Sequence, residues 1–142
     1  MEKMFELLIQ DHKEVSSLIS QMRNISGQRR ERLISKCTDA LELHMQIEED
    51  YLYPALEDID ETKDIIRDFY EDHKMMQKQL KELGKLDVDD QKWDTRLQAL
   101  KENFDHHIQQ EETVLFKQVP KVLSREELDD LNDQITEEKE AA

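Results

Sequence analysis

Residues 44–54 read HMQIEEDYLYP and residues 107–116 read HIQQEETVLF. Laid over each other, the two stretches share His, Gln, Glu, Glu and Leu at the same places, and Tyr53 stands opposite Phe116. A spacing of four puts His44 and Glu48 one turn apart on one face of a helix, and His107 and Glu111 likewise. The phrase therefore predicts two helices, each presenting an imidazole and a carboxylate in one direction. Leu52, Tyr53 and Pro54 are expected to position the end of the first of them.

The duplication extends outward. Asp11-His12-Lys13 returns as Asp72-His73-Lys74, sixty-one residues later, and His44 returns as His107, sixty-three later. Two copies of about sixty residues are too few and too long for a solenoid. The chain reads instead as two helical hairpins related by a pseudo-twofold axis.

Apolar positions at steps of three and four residues outline four long helices. The first spans about residues 3–24, and Asn24 to Gly27 supplies its stop. The second runs from about residue 28 into the fifties, carrying Leu33, Cys37, Leu41, Tyr51 and Ala55, with Pro54 near its end. The third covers about 61–83, with Gly84 as its C-cap. The fourth covers about 90–118, and Pro120 marks its end region. Ser124 followed by Glu127 fits a capping box that opens a short tail helix on Leu128, Leu131 and Ile135. Short connections favour antiparallel neighbours. The expected fold is all-α: an up-down-up-down four-helix bundle over residues 1–120, with residues 121–142 adding a tail helix to the same domain.

Composition agrees. The 142 residues are 37% apolar and 39% charged, against about 45–50% and about 25% in typical soluble domains. Amphipathic helices with narrow apolar stripes suit that balance. Two Gly and two Pro leave little room for hairpin turns or a Gly-rich phosphate loop. A net charge of −15 argues against nucleic acid, which needs clustered Lys and Arg, and against an anionic membrane surface. Cys37 is the single cysteine, so a disulfide framework and a cysteine-rich zinc site are excluded. It is expected to be an inert buried thiol. The first residues meet charge too early for a signal peptide, and no stretch approaches the about 20 apolar residues of a membrane span. A reducing, cytoplasmic setting is expected.

The histidines interrupt the apolar stripes. His12 lies among Phe5, Leu8, Val15 and Ile19, and His73 among Ile66, Phe69, Met76 and Leu80. His44 and Glu48 continue the stripe of Leu41, and His107 and Glu111 that of Phe104. Four imidazoles and two carboxylates, at matching depths on four helices, thus point into one interior. Buried groups of this kind are costly unless paired or bound to metal. His12, His44, Glu48, His73, His107 and Glu111 are therefore the candidate metal ligands. His106 falls on a polar face with Asn103, Gln110 and Thr113 and is expected outside the site. Glu49 and Glu112 flank the inward face, as solvated acids or as partners that orient an imidazole. Tyr51 and Tyr70 either fill core or donate hydrogen bonds beside the metals.

Six donors over-supply one tetrahedral zinc ion. If both Glu bridge, two metals can sit about 3.5–4 Å apart. Each then takes two imidazoles and two carboxylate oxygens, with open positions left over. Open positions on a mixed nitrogen and oxygen site suit non-haem iron that meets oxygen, peroxide or nitric oxide. Manganese and zinc fit the same donor types.

His12, then His44-x-x-x-Glu48, then His73, then His107-x-x-x-Glu111 resembles the hemerythrin-like, HHE cation-binding domain over about residues 1–120. The Glu-Glu-x-x-Leu-Tyr-Pro continuation after His44 strengthens the likeness. The resemblance implies an antiparallel four-helix bundle around two iron ions, joined through an oxo or hydroxo bridge, with those six residues as ligands. Oxygen-carrying members have a further His one turn after the third-helix His and a longer-spaced acid on the fourth helix. Here Gln77 takes the first position, and Glu111 follows His107 by four. The pattern is similar to bacterial HHE proteins with four His and two Glu, linked to oxidative or nitrosative stress, iron handling or iron-centre repair, and it argues against reversible oxygen carriage. No additional cysteine-bearing N-terminal domain is expected. The ferritin-type alternative needs Glu-x-x-His, and no His here has a Glu three residues before it.

The expected function is a di-iron protein reacting with a small diatomic or peroxide ligand, without nucleic acid or membrane, and with any protein partner left open. Iron or oxygen sensing, or iron storage without turnover, is the alternative. A metal-free acidic bundle acting through helix contacts is the third reading.

Overall fold

The computed structural model describes residues 1–142 and is all-helical. Helix α1 spans Lys3–Met22, α2 Gly27–Ile47, α3 Lys63–Lys85, α4 Trp93–Gln110, α5 Phe116–Val122 and α6 Arg125–Ala141. A π-helical turn, Glu48–Leu52, follows α2, and a second, Glu111–Leu115, follows α4. α1 packs on α2 and α3 on α4, while α2 meets α3 and α1 meets α4 to close the group.

A layer of buried polar side chains divides the interior. On one side Met4, Phe5, Leu8, Leu52, Leu56, Ile66, Phe69, Leu115 and Val119 cluster with Leu128, Leu131 and Ile135 of α6. On the other, Val15, Ile19, Met22, Ile34, Leu41, Met76, Leu80, Trp93, Leu97 and Phe104 form a second cluster. His12, His44, Glu48, His73, His107 and Glu111 lie between them, each buried. α1 and α3 begin in the first cluster and end in the second, whereas α2 and α4 begin in the second and lead back to the first. Burial on both sides holds the polar layer out of water.

The far end of the second cluster is closed by a residue that helical periodicity does not single out. Arg30 is buried, donates to the Met22 and Val88 carbonyls and to Asp94, and lies 4.3 Å over the Trp93 ring. The chain reversal between α1 and α2 uses Gly27 at φ 66°, a conformation that costs a residue with a Cβ.

Several boundaries differ from the periodicity reading. Gly84 is not a C-cap: α3 continues through it to Lys85, and Leu86 ends the helix in extended conformation, so no left-handed residue is needed. Asp90 to Lys92 form a turn ahead of α4, with the Lys92 N–H donating to Asp90 Oδ1. Pro120 lies inside α5, and the helix ends two residues later at Val122. Its missing N–H orphans only the Phe116 carbonyl.

The capping box at Ser124 is formed. Glu127 N–H donates to Ser124 Oγ at 3.1 Å, and Ser124 N–H donates to Glu127 Oε1 at 2.9 Å. Ser124→Ala should lower stability by about 1 kcal/mol, read as a lower urea midpoint with an unchanged denaturant slope.

Candidate metal centre

The six residues singled out from the stripes meet in the polar layer. His12, His44, Glu48 and Glu111 offer donor atoms within 4.8 Å of one another, and so do Glu48, His73 and His107. Glu48 belongs to both sets. Its Oε1 lies 3.3 Å from His44 Nε2 and 3.1 Å from His73 Nε2. Glu111 also straddles the halves, with Oε1 3.1 Å from His12 Nε2 and Oε2 3.4 Å from His107 Nε2.

Every imidazole turns Nε2 inward because its Nδ1 is held by a carboxylate. Asp11 accepts from His44 Nδ1 at 2.8 Å, Glu49 from His73 at 2.7 Å, Asp72 from His107 at 2.8 Å and Glu112 from His12 at 2.8 Å. The bonds run around the molecule: α1 holds α2, the turn after α2 holds α3, α3 holds α4, and the turn after α4 holds α1. An ionised carboxylate only accepts, so it fixes the proton on Nδ1 and leaves the Nε2 lone pair free as a ligand. Glu49 and Glu112 thus orient imidazoles rather than standing free in solvent.

The roles of Asp11 and Asp72 are not predicted by stripe position. A signal was nonetheless present: each of the four acids is the chain neighbour of a ligand candidate, in Asp11-His12, Glu48-Glu49, Asp72-His73 and Glu111-Glu112. Neighbours on a helix point about 100° apart. When one side chain points inward, the next reaches the adjacent helix.

A second unforeseen member is Tyr53. Its buried hydroxyl donates to Glu111 Oε2 at 2.8 Å and lies 3.2 Å from Glu48 Oε1 and 3.1 Å from His73 Nε2. Burial, then the charges of Glu111 and Glu48, push its phenol well above the ordinary range, so it stays protonated as a donor. The π turn brings it there. Tyr53 N–H bonds the Glu48 carbonyl five residues back, and the extra residue in that turn rotates Leu52, Tyr53 and Leu56 inward. Tyr51 and Ala55, which a regular helix would bury, are instead only partly buried, and Tyr51 donates to Glu138 of α6. The second π turn acts likewise, burying Leu115 and Phe116 in place of Val114. Tyr70 bonds Glu57 at the surface, outside the donor set. His106 is exposed.

The donor set fits a cation. His12 and His44 bring their Nε2 atoms to 3.1 Å, where two lone pairs repel unless a proton or a metal lies between them. Glu48 Oε2 is buried with no hydrogen-bond partner, a costly arrangement for a carboxylate oxygen. Both groups gain from a metal.

Without one, protons take its place. Burial pulls the pKa of His44 down, but the Glu48 charge and the Asp11 hydrogen bond outweigh it and push it up to about 10. His107 is likewise pulled down by burial, but Asp72 and Glu111 raise it to about 10. Burial raises Glu111, yet hydrogen bonds from His107 and His12 and the His107 charge hold it well below the usual carboxylate range. A metal must displace the protons on His44 and His107. Affinity should therefore rise with pH up to about 10. Zinc titration in weak buffer at neutral pH should release about two protons per chain to an indicator dye. Cys37 takes no part: burial alone pushes its thiol up to about 12.

No helix is long and apolar enough to cross a membrane. A family profile described as the hemerythrin HHE cation binding domain matches residues 3–119. No curated protein matches the chain. The crystal structure of a hemerythrin HHE cation binding domain-containing protein from Mycobacterium kansasii resembles it with a TM-score of 0.80 at 20% identity, over 99% of this chain and 86% of that one. At that identity the likeness speaks for the fold. With its imidazoles and carboxylates in one buried layer and the family profile spanning most of its length, the chain belongs to the hemerythrin HHE cation-binding domain family.

Proposed function

We propose that this chain is a cytoplasmic non-haem di-iron protein that reacts with oxygen, peroxide or nitric oxide, in stress protection or iron-centre repair. His12, His44, Glu48, His73, His107 and Glu111 are its ligands, and manganese or zinc are possible occupants of the same donors. The observation that carries the reading is the sharing of Glu48 between two donor sets. One carboxylate within reach of both halves suits two metals better than one. The alternating passage of α1 to α4 between the two apolar clusters supports an up-down-up-down four-helix bundle. The shared cluster of α6 and α1 residues supports counting residues 121–142 in the same domain.

Bound iron would supply the redox chemistry. The protein's own contribution is to aim four Nε2 atoms, keep water out with apolar clusters on both sides, and hold the Tyr53 hydroxyl against Glu111 as a donor. Stopped-flow mixing of the reduced, iron-loaded protein with oxygen, peroxide and nitric oxide in turn tests the reading. Consumption of at least one supports it. Iron that stays bound while none is consumed would leave sensing or storage in its place.

A further inference from the structure

Of the four carboxylates that hold the imidazoles, one differs from the rest. Glu49, Asp72 and Glu112 are 32%, 36% and 31% exposed and have no Lys or Arg partner. Asp11 is 15% exposed, and its second oxygen, Oδ1, accepts from Lys139 Nζ of α6 at 2.7 Å. Lys139 is itself 16% exposed. A chain of charge-assisted bonds thus runs from α6 to the centre: Lys139 Nζ to Asp11 Oδ1, then Asp11 Oδ2 to His44 Nδ1 at 2.8 Å, with His44 Nε2 facing inward.

We propose that Lys139 is a positioning residue that tunes the electronic character of one metal site, through Asp11 and His44, and makes the two sites inequivalent. The proposal rests on the di-metal reading above. The physical basis is competition for one carboxylate. An anion that bonds Nδ1–H pushes electron density onto the imidazole and makes it a stronger donor. Lys139 draws part of the Asp11 charge away from that bond, in a half-buried place where water screens it little. His44 is then a weaker donor than His73 and His107, whose carboxylates carry no cation. A weaker donor favours the reduced ion, so the metal beside His44 should have the higher reduction potential of the two. The C-terminal helix is therefore part of the centre's environment as well as of the core.

The test uses the full chain loaded with ferrous iron. Lys139→Gln, Lys139→Arg and a control, Asn132→Ala, are compared with the unaltered protein by metal analysis and by redox titration followed by absorbance. Asn132 accepts from the Met4 N–H at 2.9 Å, so its loss loosens α6 without touching Asp11. Lys139→Gln should keep its iron and lower the potential of one metal, by up to about tenfold in the oxidised-to-reduced ratio, the low end of the effect of a ligand's direct partner. Lys139→Arg should restore the potential, and Asn132→Ala should leave it unmoved. Lys139→Met, which keeps the unbranched stem, replaces the Gln variant if that one does not fold. An unchanged potential in an iron-loaded Lys139→Gln protein overturns the proposal alone, as does an equal shift in Asn132→Ala. Failure of the unaltered protein to bind metal overturns the di-metal reading and this proposal with it.

Discussion

Glu48→Ala combined with Glu111→Ala should abolish metal binding, from about two ions per chain to none detectable by elemental analysis of anaerobically purified protein. Each carboxylate stands within 3.5 Å of an imidazole from both halves of the site. Their loss leaves two separate pairs of His without an anion to balance a divalent charge. The variant should still fold, because His44 and His107 keep Asp11 and Asp72 on Nδ1 and can shed the protons that Glu48 and Glu111 held on them; circular dichroism checks this. Changes one step further out should act by degree. Glu49→Gln keeps all six donors but weakens the hold on His73 Nδ1, for about tenfold in affinity. His106→Ala, at an exposed position, should change nothing. Full metal content in the double variant would sink the assignment of both carboxylates.

Chelation should destabilise the protein far more than any surface substitution. A ligand bound only to the native state at a hundredfold over its Kd stabilises by about 2.7 kcal/mol per site. At about 2–4 °C per kcal/mol for a chain near this size, stripping two metals should lower the thermal midpoint by roughly 10–20 °C. The polar layer explains the sensitivity. The close His12 and His44 nitrogens and the unpartnered Glu48 oxygen are tolerable beside a cation and costly without one. A midpoint indifferent to chelator would favour the metal-free acidic bundle over the metal centre. Protons on His44 and His107 replace part of the missing charge, so the loss should be larger at pH 9 than at pH 7.

The six ligand candidates were legible because each lies on a helix face that its apolar neighbours define, and the duplication placed both halves at matching depth. The same reasoning failed just past Glu48. There a π turn adds one residue, so a three-and-four count buries Tyr51 and Ala55 where the protein buries Leu52, Tyr53 and Leu56. Backbone hydrogen bonding decides between the two phases, and the sequence offers apolar residues to both, Tyr51 and Ala55 to one and Leu52, Tyr53 and Leu56 to the other. Gly84 misled for a related reason: glycine permits a left-handed cap but does not require one.

The pattern of residues along the chain determined by itself that four helices carry His12, His44, Glu48, His73, His107 and Glu111 inward, since helical phase is a local property of successive residues. Which carboxylate holds which imidazole is decided between helices. Asp11 on α1 serves His44 on α2, and Glu112 past α4 serves His12 on α1, pairs thirty-three and one hundred residues apart. The approach of the Tyr53 hydroxyl to Glu111 and the reach of Lys139 to Asp11 belong to the same class. Such contacts depend on helix rotation, on the π turns and on where α6 packs, and only the folded chain brings all three together.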